Sequence, residues 1–212
     1  MDDSPPAGVK MGALSLLNPL IFPLIPARSR APISALWHAN TLFSAIARGG
    51  KEPTLRQIKL RWWVDQLAAL RAGEGHPDPL LTSLAHDVLP HIPASTLSIF
   101  AESWMVEIDS VPGDSMVAGA HLFTMTGRVL GNSHPILADA GSAWGMVERS
   151  LQSSEVESWS AHQQRLNALP LRDLPRALAS LIGMTRRIAR ADGRRSQRGE
   201  QWAILKIGIL GR

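Results

Sequence analysis

Two adjacent tryptophans, Trp62 and Trp63, stand inside QIKLRWWVDQL, residues 57–67, and this stretch limits the fold more than any other part of the chain. A doubled tryptophan marks a specific packing environment, because each indole is large and carries an N–H that wants a partner. Leu60, Trp63, Leu67 and Leu70 recur at the three-and-four spacing of one helix face, and Leu55, Ile58 and Trp62 extend that face. Pro53 opens this helix, and Gly73 and Gly75 stop it after about residue 72. HPDP, residues 76–79, reads as a turn.

The same grammar runs through the rest of the chain. Residues 31–48 carry Ile33, Leu36, Trp37, Ala39, Leu42, Phe43, Ile46 and Ala47, dense enough for a buried helix. Pro32 is expected in its first turn, and Gly49 with Gly50 end it. Further helices are expected over residues 79–88, 94–111, 114–130, 135–152, 155–169, 174–191 and 202–210. Asp114 and Ser154 are candidate N-caps, Ser110, Pro112 and Gly113 a break, and Gly131 with Asn132 a terminator. There is no period-two alternation and no internal repeat, so the expectation is an all-α bundle of one domain, residues 1–212. Residues 1–27 read as an irregular N-terminal segment packed on the body, and residues 193–212 as a basic and apolar tail. The apolar run at residues 11–26 contains Pro19, Pro23 and Pro26, which argues against a membrane span or a signal peptide.

Composition narrows the chemistry. The chain has no cysteine, which excludes disulfides, a Cys-ligated zinc and a thiol nucleophile. Apolar residues make up 45%, ample for a core. The formal net charge is +4, yet Arg186, Arg187, Arg190, Arg194, Arg195 and Arg198 crowd one short segment with Asp192 as the only acid among them. That cluster suits phosphate, anionic lipid or an acidic protein surface, or simply a solvated helix end. The neighbouring WAILKIGIL, residues 202–210, could join it in a peripheral membrane contact or pack on the bundle. The seven histidines include no HxxxH or HExxH spacing, and there is no GxSxG elbow or phosphate-binding GK[ST] loop.

Three segments, in order, resemble the squalene/phytoene synthase family of the isoprenoid synthase fold. ALWHANTLFSAIAR, residues 35–48, is similar to the family's first Asp-rich helix. IKLRWWVDQL, residues 58–67, is similar to its LxWWRxxL helix, with Trp62 and Trp63 as the signature. GRVLGNSHPILADAGSAWGMVERSL, residues 127–151, is similar to the paired helices that end in the second Asp-rich motif. The likeness spans roughly residues 14–181. It implies a helical bundle whose two facing helices each carry carboxylates four residues apart, on one helix face, to hold the Mg²⁺ that neutralises a prenyl diphosphate.

Those carboxylates are missing. Aligned on ALW, Ser44 and Arg48 fall on the first acidic pair; aligned on AGSAW, Gln152 and Val156 fall on the second. Glu148 takes the place of a family Asn, and Leu151 that of the accompanying Arg. Elsewhere Glu74 and Asp78 are in a loop, and Glu102, Glu107 and Asp109 share a helix without an i, i+4 pair. A diphosphate in an apolar cavity without counter-charge is heavily disfavoured.

The resemblance therefore implies a protein without prenyl transferase activity that acts as a binding or assembly factor. It is similar to the family branch, reduced in aspartates, that is linked to assembly of respiratory complex I, including its Asn in the first helix, Asn40 here. Two alternatives stay open: an Mg-dependent farnesyl or geranylgeranyl transferase with an atypical site, needing Glu148, Asp65 or Glu102 to converge, and a lipid or isoprenoid binder without turnover. No cofactor and no resident metal are expected, Mg²⁺ entering only with the transferase. Expected partners are a protein or a membrane surface and an isoprenoid or lipid ligand, not nucleic acid; the expected location is cytoplasmic or peripheral to a membrane. The candidate cavity residues are Asn40, Ser44, Arg48, Gly145, Glu148 and Gln152.

Overall fold

The computed structural model describes residues 14–50, 52–109, 117–152 and 158–210. Among them the chain is all-α, with no strand and with no helix long and apolar enough to cross a membrane. Residues 14–26 are turns around a short 3₁₀ helix at Phe22–Leu24, and Leu14, Leu16, Ile21 and Ile25 are buried, so this proline-shaped segment packs on the body.

Helix α1 (Ala27–Arg48) begins four residues earlier than the sequence predicts, which places Pro32 inside the helix rather than in its first turn. Proline removes one i→i−4 bond there. The first turn is tied down instead by side chains: Ser29 Oγ donates to the Val129 carbonyl at 3.3 Å, and Arg30 Nε to the Ile25 carbonyl at 3.1 Å. At the far end Gly50 takes the positive φ of 77° that ends the helix, and Arg56 Nη1 donates to the orphan Ala47 carbonyl at 2.6 Å.

Helix α2 (Pro53–Ala69) has Pro53 in its first turn and buries Leu60, Trp63, Val64 and Leu67. Leu55, Ile58 and Trp62 do not extend that face, contrary to the sequence reading; they stand 53%, 59% and 47% exposed on the opposite side of the helix. Helix α3 (Pro79–Ser83) is capped by Asp78, whose Oδ1 accepts from Leu80 N–H at 2.8 Å and Leu81 N–H at 3.1 Å. It runs on into a π-helical turn at Leu84–Val88.

Helix α4 (Ala94–Asp109) lies along α2. Helices α5 (Val117–Val129) and α6 (Ile136–Gln152) pack in contact at two glycines: a Cβ on Gly119 would strike the Gly141 carbonyl, and a Cβ on Gly141 the Gly119 backbone. Gly131, at φ 76°, closes α5; its N–H bonds the Arg128 carbonyl, and Asn132 N–H bonds the Gly127 carbonyl at 2.8 Å. Helices α7 (Trp159–Ala168), α8 (Arg176–Arg190) and α9 (Gln197–Leu210) complete the bundle, with α8 touching α6, α7 and α9. Helix α9 starts five residues before the apolar stretch that suggested it. The expected caps Asp114 and Ser154, and the break at Ser110, Pro112 and Gly113, lie outside the described residues.

The buried hydrophobic residues form one continuous cluster. Its aromatic centre joins α1 to four neighbours, α2, α4, α5 and α6. Phe43 meets Trp63 at 5.5 Å and Phe100 at 5.7 Å; Trp37 meets Trp144 at 5.4 Å and Phe123 at 6.2 Å. Trp37 Nε1 donates to Thr126 Oγ1 at 3.2 Å, which lets that indole be buried without a stranded donor.

Candidate functional site

Asn40, Ser44 and Arg48 recur every four residues on α1, and Glu148 and Gln152 do so on α6, so each set lines one helix face. The two faces meet. Arg48 Nη1 lies 2.5 Å from Glu148 Oε2, 2.7 Å from Gln152 Oε1 and 3.0 Å from Ser44 Oγ. Gln152 Nε2 donates in turn to Glu148 Oε1. The ion pair is largely withdrawn from water, with side-chain exposures of 23% for Arg48 and 11% for Glu148.

A third helix contributes two groups that the sequence reading did not place here. Trp104 of α4 lies over the Arg48 guanidinium, 5.1 Å from ring centroid to Cζ. Glu107, one turn further on, brings Oε2 to 3.8 Å from Arg48 Nη2. Burial raises the Glu107 carboxyl from 4.5 to about 7, against the opposing pull of Arg48, of Arg149 and of a hydrogen bond with the Ala118 backbone. The Ala118 bond is informative, since Ala118 is in the first turn of α5, where N–H groups have no intrahelical partner. Glu107 thus reaches from α4 to the start of α5 while facing Arg48. The sequence signal was present but quiet: an acid three residues after a tryptophan, on a helix with a mostly apolar inner face.

Gly145 is placed differently. It lies on the α5 side of α6, where a Cβ built on Gly119 would come within 3.5 Å of its Cα. Asn40 is 7% exposed, and its Oδ1 has no hydrogen-bond partner; the same holds for the indole nitrogens of Trp104 and Trp144. Asp65 and Glu102 are exposed and do not join the cluster; Asp65 pairs with Arg61 at 3.2 Å on the surface of α2. Val156 lies outside the described residues.

The donor set does not fit a magnesium pair. Mg²⁺ asks for oxygen ligands with negative charge. Here both oxygens of Glu148 already accept from Arg48 and Gln152, and a guanidinium occupies the middle of the cluster. Among the described residues, no group of three or more His, Asp or Glu side chains is placed to hold a metal ion.

The six clustered arginines separate into roles. Arg186 is half-buried and donates to the Leu166 and Leu169 carbonyls at 2.6 to 2.9 Å, capping the end of α7. Arg195 forms a two-point pair with Glu200 at 2.7 and 3.1 Å. Arg190 reaches Asn167 Oδ1 at 3.3 Å, and Arg187, Arg190, Arg194 and Arg198 are exposed. Trp63 is core, whereas its neighbour Trp62 is largely outside it. His162 is a core histidine, 1% exposed and 2.9 Å from Ser150 Oγ. Compared with known proteins, the chain matches no family model, no curated protein and no solved structure.

Proposed function

We propose that this chain is a non-catalytic helical protein of the squalene/phytoene synthase kind, a single domain that works as a binding or assembly factor, in the cytoplasm or at the periphery of a membrane. One observation carries the reading. Where the resemblance calls for facing carboxylates, α1 and α6 are joined by the Arg48–Glu148 ion pair, with Gln152 and Ser44 on the same guanidinium nitrogen. That arrangement fastens two helices together and leaves Glu148 engaged. It supports structural use of the junction in place of diphosphate activation. The resemblance to the complex I assembly branch gives the proposal its direction: a protein partner in a membrane complex.

The test is turnover. Purified protein incubated with Mg²⁺ and farnesyl or geranylgeranyl diphosphate is expected to give no product above a protein-free control. Product that disappears in Glu148→Gln would establish the atypical transferase instead. In the source cell, deletion is expected to lower the level of an assembled membrane complex while squalene and carotenoid content stays unchanged.

A second reading, a lipid or isoprenoid binder without turnover, draws on the three buried polar atoms without partners, Asn40 Oδ1, Trp104 Nε1 and Trp144 Nε1. A bound molecule could satisfy them. Native mass spectrometry of gently purified protein, showing a retained lipid mass or none, separates this reading from the first.

A further inference from the structure

We infer that the outer face of α9 is a contact surface for anionic lipid bilayers. The inference deepens the membrane-peripheral part of the proposal above and rests on that part alone; vesicle binding is scored without turnover, so either can fail separately.

Helix α9 has two faces of different character. The inner one carries Ile204, 2% exposed, with Ile207 against Gly183 of α8 and Gly208 against Leu24 and Ser180. The outer one carries Trp202, 74% exposed, and Leu205, 45% exposed. Trp37, Trp63, Trp104 and Trp144 are buried in the core, so Trp202 is the opposite case. Arg198 and Lys206 lie one turn before and one turn after it, both exposed, in a single row along the helix. An indole set between two cations suits a headgroup region, where the ring sits at the interface and the cations meet phosphate.

Charge fixes the kind of bilayer. Residues 186–206 contain seven Lys and Arg against Asp192 and Glu200, a net +5, while the remaining residues hold fifteen cations and sixteen acids, a net −1. The whole positive excess of the chain is therefore local. Glu200 is buried and bound to Arg195, so it does not oppose the outer face; Asp192 is the exposed acid of the segment. Arg187 adds to the surface from α8. Its guanidinium lies against Gly199, where any Cβ would collide with it, so this exposed cation stands at the α8-facing edge of α9. Arg194 is exposed nearby. Two exposed apolar side chains are too few for the core of a stable protein interface, which buries about 800 Å² per partner. They are enough to seat an interfacial helix held mainly by charge.

The experiment is flotation of the full chain with vesicles of phosphatidylcholine alone, or with about one-third phosphatidylserine. Binding is expected only to the anionic vesicles at about 0.1 M salt, falling at least about tenfold near 1 M salt. The pair Arg198→Glu and Lys206→Glu is expected to reduce binding at least about tenfold, and Trp202→Ser to reduce it several-fold at an unchanged melting temperature. If the serine variant does not fold, Trp202→Phe gives the second reading: brominated lipid should quench the parent chain and not this variant. Equal binding to neutral vesicles, no binding to anionic ones, or full binding by the charge-reversed pair would overturn the inference. Capture of an acidic protein without vesicle binding would do the same.

Discussion

Helices α1 and α6 meet at two places by unlike chemistry. At one, Trp37 stands edge-on to Trp144, backed by Phe123. At the other, eleven residues along α1 and roughly 16 Å away along its axis, Arg48 joins Glu148 and Gln152 while Glu107 approaches from the side. The helix backbones themselves make few close approaches, so long side chains bridge the seam in both places. The aromatic end gains from area removed from water, about 150–250 Å² per ring at roughly 25 cal/mol per Å². The ionic end sets Coulomb attraction against the desolvation of Arg48, of Glu148 and, above about pH 7, of Glu107, and nets far less. The comparison teaches that the first end supplies stability, and the second supplies sensitivity to pH and to partner loss.

The largest expected effect breaks the aromatic end. Trp144→Ala removes a ring touching both Trp37 and Phe123, and should lower unfolding free energy by about 3–5 kcal/mol in urea titration. A loss below about 1 kcal/mol would mean that the seam does not depend on it. Next comes Arg48→Met, which leaves Glu148 and Glu107 facing each other without their shared cation. The expected loss is about 2–4 kcal/mol at neutral pH, and adding Glu148→Met should restore part of it. No recovery in the double variant would show that Arg48 acts through something other than this pair.

The smallest effect sharpens the contrast through pH. The Glu107 carboxyl titrates near 7 in the folded chain, against 4.5 when unperturbed. Between those values the native state holds a proton that the unfolded chain has released, so stability falls as pH rises through this window and levels off above it. The difference between those values, at about 1.4 kcal/mol per pH unit, bounds the span at about 3.5 kcal/mol, and relaxation of the site around the charged carboxylate keeps it below that. Glu107→Gln should flatten the slope, raising stability above pH 7 and leaving it unchanged near pH 4.5. Trp144→Ala should shift the whole profile without changing its shape.

Much of the architecture was legible because proline and glycine punctuate it. Pro53 opens α2, Gly50 and Gly131 end α1 and α5, and Leu60, Trp63 and Leu67 mark a core face by spacing alone. Periodicity failed where a helix carries apolar side chains on two sides. Leu55, Ile58 and Trp62 fit the pattern in letters and look outward in space. The cap at Asp78 was hidden inside HPDP, since the prolines that suggest a turn also suit the start of a helix. The i, i+4 spacing puts Ser44 with Arg48, and Glu148 with Gln152, on one helix face each, and the resemblance groups the two pairs by alignment. Glu107 could not be added that way, because its partners are 59 and 11 residues distant in the chain and depend on how α4 and α5 fold against α1. The arginine cluster shows the reverse. Contiguity suggested one patch, whereas Arg186 and Arg195 are spent on a helix end and on Glu200.

The bare crossing of Gly119 over Gly141 decides where this molecule can bend. With carbonyl groups against backbone and no side chain to swing aside, α5 and α6 form a single strut, and sliding one along the other would drive main chain into main chain. Any rearrangement of the bundle must therefore carry α5 and α6 together.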